Sequence, residues 1–277
     1  MPELPEVQTV VNDLVAAGVV GATIRDLQVS WARSIHEITP ERLRSRLQGR
    51  SIGGVWRRGK YVVIDLNPQG HLLIHLRMSG KLQVTAQDAA CAPHERAKLS
   101  LDCGRVIRFV DPRKFGRWYW ADNAGQFLTH LGPEPLARRF SAKLLAQRLQ
   151  GLKRQLKPLL LDQHFIAGLG NIYVDESLWQ AQIHPLRGSH TLAAAEIIAL
   201  HRAIRRVLRR AIVNAGTTLG GGPSNFRSVD NRQGRNGRHL AVFRRTGRPC
   251  PRCGTPIQRL VVGQRATHIC PRCQPTS

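Results

Sequence analysis

The sequence predicts an α+β protein of two domains: an N-terminal β-sandwich with a flanking helix, and a helical C-terminal half that ends in a zinc-binding β-hairpin. Three observations support this prediction. Short strand-like segments separated by turns fill the first half, apolar residues at helical spacing dominate the second, and two pairs of cysteines close the chain. A length of 277 residues, 42% of them hydrophobic, is enough for two buried cores.

The N-terminal half begins with a helix and continues as strands. Apolar residues from Val7 to Val15 fall on one helical face, and Gly18 ends the helix. The segments with strand character are 23–30, 51–57, 61–66, 71–76, 97–101 and 106–110. This pattern breaks at the Leu-Gly-Pro-Glu-Pro sequence that starts at Leu131. We therefore predict a sandwich domain at 1–130 and a linker at 131–140.

The second half has the periodicity of helices. Ser141 is placed to cap one helix, a second runs from near Leu152 toward Gln163, a third follows Asn171, and a long one spans the region from Thr191 to Gly216. A stretch rich in Gly, Asn and Arg comes next. The prediction is a helical domain at 141–222, a mobile loop at 223–239 and a zinc finger at 240–277.

The charge of the chain predicts a polyanionic partner. The formal net charge is +24, and the last 77 residues hold sixteen arginines, no lysine and one acid, Asp230. A membrane surface or a ribosomal partner would also attract this charge. Nucleic acid is favoured because the guanidinium group pairs with phosphate through two hydrogen bonds.

No segment has the character of an export signal or a membrane span. The apolar runs are short, and the N-terminus is acidic and rich in proline. We expect a monomer in the cytoplasm, associated with the nucleoid, and no membrane partner.

Four of the six cysteines predict a metal site. Cys250, Cys253, Cys270 and Cys273 have the spacing C-x2-C-x16-C-x2-C. Four thiolates at this spacing are typical of one structural zinc ion on a hairpin, with no coordination position open to water. The alternative, a redox-active CxxC pair, does not account for two pairs.

A Gly-Leu-Gly-Asn sequence at 168–171 lies between two predicted helices. Two glycines let the backbone approach a ligand closely, and the helix that starts at Asn171 offers unpaired N–H groups to a phosphate. A tight turn without a ligand would have the same sequence. The basic surroundings raise a phosphate site to equal standing with the tight turn, and both interpretations stay open.

The N-terminus offers a nucleophile. Removal of Met1 would leave Pro2 as a secondary amine, and an α-amine titrates at a pKa of about 8. A helix that begins at the following residues would lower this pKa further. Glu3 and Glu6 are candidate proton donors or acceptors. Taken alone, the same residues also describe a well-capped helix.

Together, these motifs resemble the formamidopyrimidine-DNA glycosylase / endonuclease VIII family over essentially the whole chain. The resemblance rests on MPELPEVQTV at the start, RGKY at 58–61, HLRMSG at 75–80, DPRKFG at 111–116, LGPEP at 131–135, GLGNIY at 168–173, IHP at 183–185 and the four cysteines. PELPE, in place of PEGPE, favours the formamidopyrimidine branch.

The resemblance implies a bifunctional glycosylase and abasic-site lyase that acts on double-stranded DNA with oxidised bases or abasic sites. Pro2 would form a Schiff base with C1′, Glu3 would act as acid or base, and β,δ-elimination would cleave the strand. Lys60, also catalytic, would hold phosphates together with Asn171 and Arg265. The resemblance implies that three side chains fill the gap left by the extruded base: Met78, Arg113 and Phe115. It implies His94 and Lys157 as further DNA contacts.

One departure from the family leaves the lesion open. After Gly237 the chain is shorter than is usual in the family, and Phe243-Arg244-Arg245 replaces Tyr-Gly-Arg. The loop at 217–237, which would close over the base, precedes this change. Oxidised purines are the expected substrates. An endonuclease VIII-like preference for oxidised pyrimidines and a non-catalytic zinc-ribbon DNA-binding protein are the alternatives.

Overall fold

The chain folds as two units. The computed structural model describes residues 1–222 and 225–276, so the first two residues of the loop predicted at 223–239 lie outside the described part. Unit 1 comprises Met1–Thr129 and Asn214–Gly237, and unit 2 comprises His130–Val213 and the chain from Arg238 onward. The segment that follows the longest helix therefore belongs with the N-terminal unit.

Unit 1 contains two sheets, as the predicted sandwich requires. Its elements are α1 (Leu4–Ala16), β1 (Ile24–Val29), β2 (Ile35–His36), α2 (Pro40–Leu47), β3 (Ser51–Arg58), β4 (Tyr61–Asn67), β5 (His71–His75), β6 (Lys81–Ala86), β7 (Glu95–Leu101), β8 (Arg105–Val110), β9 (Arg117–Ala121) and α3 (Ala124–Phe127). One sheet has the order β2-β9-β5-β4-β3 and the other β1-β7-β8-β6. The β2–β9 pairing is parallel and the others are antiparallel.

A single apolar core joins both sheets of unit 1 to α1. Val10 and Leu14 of α1, Ile64 of β4 and Leu99 of β7 belong to the same buried cluster, which also includes Val229 from the segment after the longest helix. Each such side chain contributes about 1.5–3 kcal/mol when it is removed from water. The sandwich is therefore held by a shared core, against which the start of α1 is fixed.

Unit 2 is helical and ends in a hairpin. Its elements are α4 (Ala142–Leu149), α5 (Leu156–Leu161), α6 (Asn171–Ala181), α7 (Ala194–Val213), β10 (Gln258–Val262) and β11 (Arg265–Ile269). Ser141 caps α4 as predicted, since its hydroxyl accepts from the Leu144 amide at 3.1 Å. The predicted start of α5 near Leu152 is wrong: Gln155 bridges to Gly188 in extended conformation, so the helix begins only at Leu156.

Among residues 1–222 and 225–276, no helix is both long enough and apolar enough to cross a membrane.

Candidate functional site

The predicted nucleophile lies at the buried start of α1. Pro2 is buried and Glu3 is 2% exposed, whereas Met1 is 51% exposed. Glu3 is the N-cap of α1, and Pro5 in the first turn suits a helix start because its missing N–H has no partner to lose there. The positive end of the helix dipole therefore faces the segment that contains Pro2.

Glu6 connects the start of α1 to the segment after α7. One carboxylate oxygen accepts from the Glu3 amide at 2.9 Å, and the other accepts from the Thr217 amide at 2.7 Å. Gly216 has a φ of +78°, and a Cβ there would lie 3.0 Å from the Glu6 side chain, so glycine is required on both counts. The sequence suggested Glu6 as a proton donor or acceptor. These contacts give Glu6 a positioning function, and its function as a proton donor or acceptor stays a prediction.

Lys60 lies in the tight turn between β3 and β4. Gly59 has a φ of +56°, and Lys60 is 6% exposed. Arg57 ties this turn to α1, because it donates to the Gln8 side chain and to the Gly59 carbonyl, each at 3.0 Å. Within unit 1, α1 is thus bonded both to the Lys60 turn, through Gln8 and Arg57, and to the Thr217 amide, through Glu6.

His75, at the end of β5, is held neutral in the same unit. Burial, reinforced by the positive charges of Arg77 and Lys60, lowers the pKa of His75 to about 3. The Arg77 amide donates to Nδ1 at 3.0 Å, so the proton of the neutral ring is on Nε2. The imidazole adds no cation to those already present.

Asp111 joins the two loops that contain Met78, Arg113 and Phe115. This carboxylate is fully buried and accepts from the Ser79 hydroxyl at 2.5 Å and from the Gly116 amide at 2.7 Å. It also accepts from the Arg113 amide at 3.2 Å. In the sequence, Asp111 is only the first residue of the DPRKFG motif, and its function in joining the two loops was not predicted. An acid directly after a strand and before a proline was the available signal.

The side chains on these two loops are exposed. Met78 is 41% exposed and Phe115 is 42% exposed, an unusual placement for large apolar residues. The Arg113 guanidinium lies 4.8 Å from the centre of the Phe115 ring, within cation–π range. His94 is also exposed, has a φ of +64°, and its carbonyl accepts from the Asp111 amide at 3.0 Å. The loop anchored by Asp111 therefore contacts the residue predicted to bind DNA nearby.

In unit 2, the turn before α6 is braced by Gln163. Its amide nitrogen donates to the Leu161 and Leu169 carbonyls, each at 2.8 Å, and its oxygen accepts from the Gly168 amide at 2.9 Å. Gly168 has a φ of +90°. These bonds hold the turn so that the amides at the start of α6 keep their orientation.

Asn171 and Arg265 are brought together by the hairpin. The Asn171 side-chain nitrogen donates to the Ala266 carbonyl at 2.9 Å, next in the chain to the exposed Arg265. The Asn171 side-chain oxygen is buried and has no hydrogen-bond partner among the described residues. Two of the predicted phosphate-binding residues therefore share one edge of unit 2.

Lys157 is the most deeply buried of the predicted DNA contacts. Its side chain is fully buried, and its ammonium lies 2.6 Å from an Asp175 carboxylate oxygen. It also donates to the Ala266 carbonyl at 3.1 Å. Asp175, which the sequence analysis did not single out, is equally buried.

The four cysteines fit a zinc ion. All four sulfur atoms lie within 4.8 Å of one another, with separations of 3.4 Å for Cys253–Cys270 and 3.9 Å for Cys250–Cys273. A tetrahedron with Zn–S bonds of about 2.3 Å has edges of about 3.8 Å. Burial raises the pKa of the Cys273 thiol to about 12, and a divalent cation offsets this by stabilising the thiolate. The cluster is the site of one structural zinc ion.

Comparison with family models covers most of the chain. Residues 1–118 match the formamidopyrimidine-DNA glycosylase N-terminal domain, and residues 131–220 match the formamidopyrimidine-DNA glycosylase H2TH domain. Residues 247–276 match the zinc finger found in FPG and IleRS. With the sandwich, the helical unit and the cysteine cluster, these matches define the class: a DNA glycosylase with a zinc finger.

Relatives and solved structures narrow the class further. Formamidopyrimidine-DNA glycosylases of Protochlamydia amoebophila and Herpetosiphon aurantiacus are 44% and 46% identical, each over 99% of this chain and at least 99% of the relative. The structure of Lactococcus lactis Fpg with DNA containing an abasic site is 36% identical, covers 99% of this chain and 100% of that one, and has a TM-score of 0.91. The chain belongs to the formamidopyrimidine-DNA glycosylase family.

Proposed function

We propose that this protein acts in base excision repair on double-stranded DNA, as a monomer in the cytoplasm at the nucleoid. It excises oxidised purines, 8-oxoguanine and formamidopyrimidines, and then cleaves the strand at the abasic site. The observation that carries the proposal is the buried start of α1 with Pro2 and Glu3, in a helix that Gln8 and Arg57 connect to the turn with the buried Lys60. Solved relatives bound to DNA with an abasic site or with carbocyclic 8-oxo-G support the substrate class.

The reaction begins at the nitrogen of Pro2. Removal of the exposed Met1 frees a secondary amine, and the positive end of α1 favours its neutral, nucleophilic form. The nitrogen forms a bond to C1′ while the bond from C1′ to the base breaks. The base leaves with a proton, and Glu3 at the start of the helix is the donor. The sugar ring then opens: the C1′–O4′ bond breaks as the nitrogen forms an iminium with C1′, and O4′ takes up the proton that the Pro2 amine releases, transferred by Glu3.

Strand cleavage follows from the same covalent bond. The iminium withdraws electrons, so a base can take a proton from C2′ and the phosphate at C3′ leaves. A second elimination releases the phosphate at C5′. The positive charges of Lys60 in unit 1 and Arg265 in unit 2, with the amide of Asn171, stabilise the phosphate groups during these steps.

The two loops joined by Asp111 fill the gap that an extruded base leaves. Base extrusion costs a few kcal/mol, and an inserted side chain recovers part of it. Met78 and Phe115 are exposed and apolar, as a wedge requires, and Arg113 can pair with the opposite base. His94 contacts the DNA backbone near this gap.

Zinc supports DNA binding rather than the chemistry. When bound, it supplies charge compensation for four thiolates and thereby holds the hairpin. The hairpin contains Arg259 and Arg265. A stable hairpin therefore positions these two arginines to bind DNA phosphates.

Borohydride trapping tests the proposal. The processed protein should form a covalent complex with DNA that contains 8-oxoguanine opposite cytosine, because borohydride reduces the imine. Pro2→Gly should bind DNA and lose most cleavage, while Pro5→Ala, a control in the same turn, should retain both trapping and cleavage. Absence of a trapped band, or undiminished nicking by Pro2→Gly, would contradict the mechanism. A stronger reaction with oxidised pyrimidines would instead favour the endonuclease VIII-like alternative.

A further inference from the structure

A buried ion pair in unit 2 has no task in the reaction described above. Lys157 of α5 and Asp175 of α6 are both fully buried, and their charged atoms are 2.6 Å apart. Taking two such ions out of water costs several kcal/mol each, and their attraction offsets this only in good geometry with further hydrogen bonds. An apolar pair would stabilise the fold as well, so the pair calls for another explanation.

Further hydrogen bonds of the pair go to β11. Lys157 donates to the Ala266 carbonyl at 3.1 Å, and the second Asp175 oxygen accepts from the His268 amide at 2.9 Å. The His268 ring nitrogen Nδ1 lies 3.3 Å from the same oxygen. The ion pair therefore holds the strand at two points, 266 and 268, directly after Arg265.

The Ala266 carbonyl also orients Asn171. The two N–H bonds of the Asn171 side chain are fixed by the amide plane, and one of them points at this carbonyl at 2.9 Å. The second N–H is left for another acceptor. A shift of the Ala266 peptide would move both Asn171 and Arg265, because one is bonded to that peptide and the other is its chain neighbour.

We propose that Asp175, acting through Lys157, is a positioning residue that sets Arg265 and Asn171 for binding the same DNA phosphate region. This inference rests on the proposed function, in which these two residues bind phosphate. Lys157 is then not itself a DNA contact, because its ammonium group pairs with Asp175 and donates to the Ala266 carbonyl.

The neighbouring carboxylate provides a matched control. Glu176 is also buried on α6, but it accepts from the backbone amides of Ala241, Val242 and Phe243, which precede the zinc finger. Its loss should weaken the attachment of the finger without altering the Ala266 peptide. Asp175→Asn and Glu176→Gln therefore each replace one buried carboxyl group of the same helix, with different consequences for Arg265.

The test uses the zinc-loaded full chain and a duplex with a stable tetrahydrofuran abasic analogue, which reports binding without cleavage. Asp175→Asn should bind this duplex about tenfold more weakly. The magnitude of the slope of log K against log salt should decrease by about 1, which corresponds to the loss of one phosphate contact. Glu176→Gln should lower the melting temperature and keep the slope. In an Arg265→Gln background, Asp175→Asn should have a clearly smaller effect on binding than in the wild type, because the contact through Arg265 is already lost and only the effect through Asn171 remains.

A second variant keeps the test decisive if Asp175→Asn folds poorly. Asp175→Asn with Lys157→Met leaves no unpaired buried charge, yet it also lacks the donor to Ala266 and should show the same reduced slope. An unchanged slope in this zinc-containing double variant, or full additivity with Arg265→Gln, would overturn the inference. Failure of borohydride trapping would concern the Pro2 chemistry and leave this binding result intact.

Discussion

Replacing Asp111 with asparagine is expected to uncouple the two loops that carry Met78 and Phe115. The carboxylate accepts from the Ser79 hydroxyl and from the amides of Arg113 and Gly116. Asparagine has nearly the same shape, but one oxygen becomes an NH2 group. In either orientation, that group faces a donor, so at least one buried donor loses its acceptor.

The structure sets the size of this effect. Hydrogen bonds to a charged group contribute about 1.5–3 kcal/mol, and an unsatisfied buried donor costs about 1–3 kcal/mol. A loss of about 2–3 kcal/mol should lower the melting temperature by roughly 5–10 °C for a unit of this size. If the loops fill the gap left by the base, extrusion should suffer most, and excision of paired 8-oxoguanine should slow about tenfold.

Two assays separate stability from function. Thermal unfolding reports the first, and single-turnover rates on 8-oxoguanine DNA and on abasic DNA report the second. Abasic DNA has no base to extrude, so its cleavage should slow less. Asp122→Asn is the control, because Asp122 is 71% exposed and its ion pair with Arg46 contributes little. Equal slowing on both substrates, or an unchanged melting temperature, would refute the coupling by Asp111.

Two further predictions concern pH and zinc. Because folding lowers the pKa of His75 from 6.5 to about 3, the unfolded chain binds the proton first, and the free energy of unfolding should fall between about pH 6.5 and 3. In urea unfolding, the free energy of unfolding of the unsubstituted protein should fall between pH 6.5 and 5 by about 2 kcal/mol more than that of His75→Asn. An equally steep fall in both proteins would disprove this. Chelating zinc, or Cys250→Ser, should weaken binding to duplex DNA while circular dichroism shows the sandwich still folded, since its core shares no residue with the cysteine cluster; equal affinity without zinc would contradict this.

The elements that the sequence predicted are those with strong local patterns. Helix α1 follows from its apolar spacing, and β3, β4 and β5 follow from short apolar runs bounded by turns. Helix α2 was missed although Thr39 and Pro40 form an ordinary helix start, with the Thr39 hydroxyl accepting from the Arg42 amide. Strands β6 and β9 were not predicted. Each directly follows one of the two loop motifs, and neither was distinguished from its motif.

The environment of Lys157 shows where local patterns end. The family resemblance implies that Lys157 contacts DNA, but in the structure its ammonium group is bonded to residues of α6 and β11. Glu6 is similar, since its second partner is the Thr217 amide. Neither pairing has a local signal, because residues distant in the chain meet only after the units have folded.

The sequence by itself determined the zinc ligands, the order of the domains and the helix that follows Pro2, because these depend on spacing and periodicity over short stretches, which backbone geometry translates directly into local structure. Its motifs identified the family by resemblance, and that resemblance implied Pro2 as the nucleophile. Only the tertiary structure decided which charges are buried and what they hold: Asp111 between two loops, Glu6 against Thr217, and Asp175 with Lys157 behind Arg265. The physical reason is that removal of a charge from water depends on everything packed around it, and that packing is a property of the whole unit.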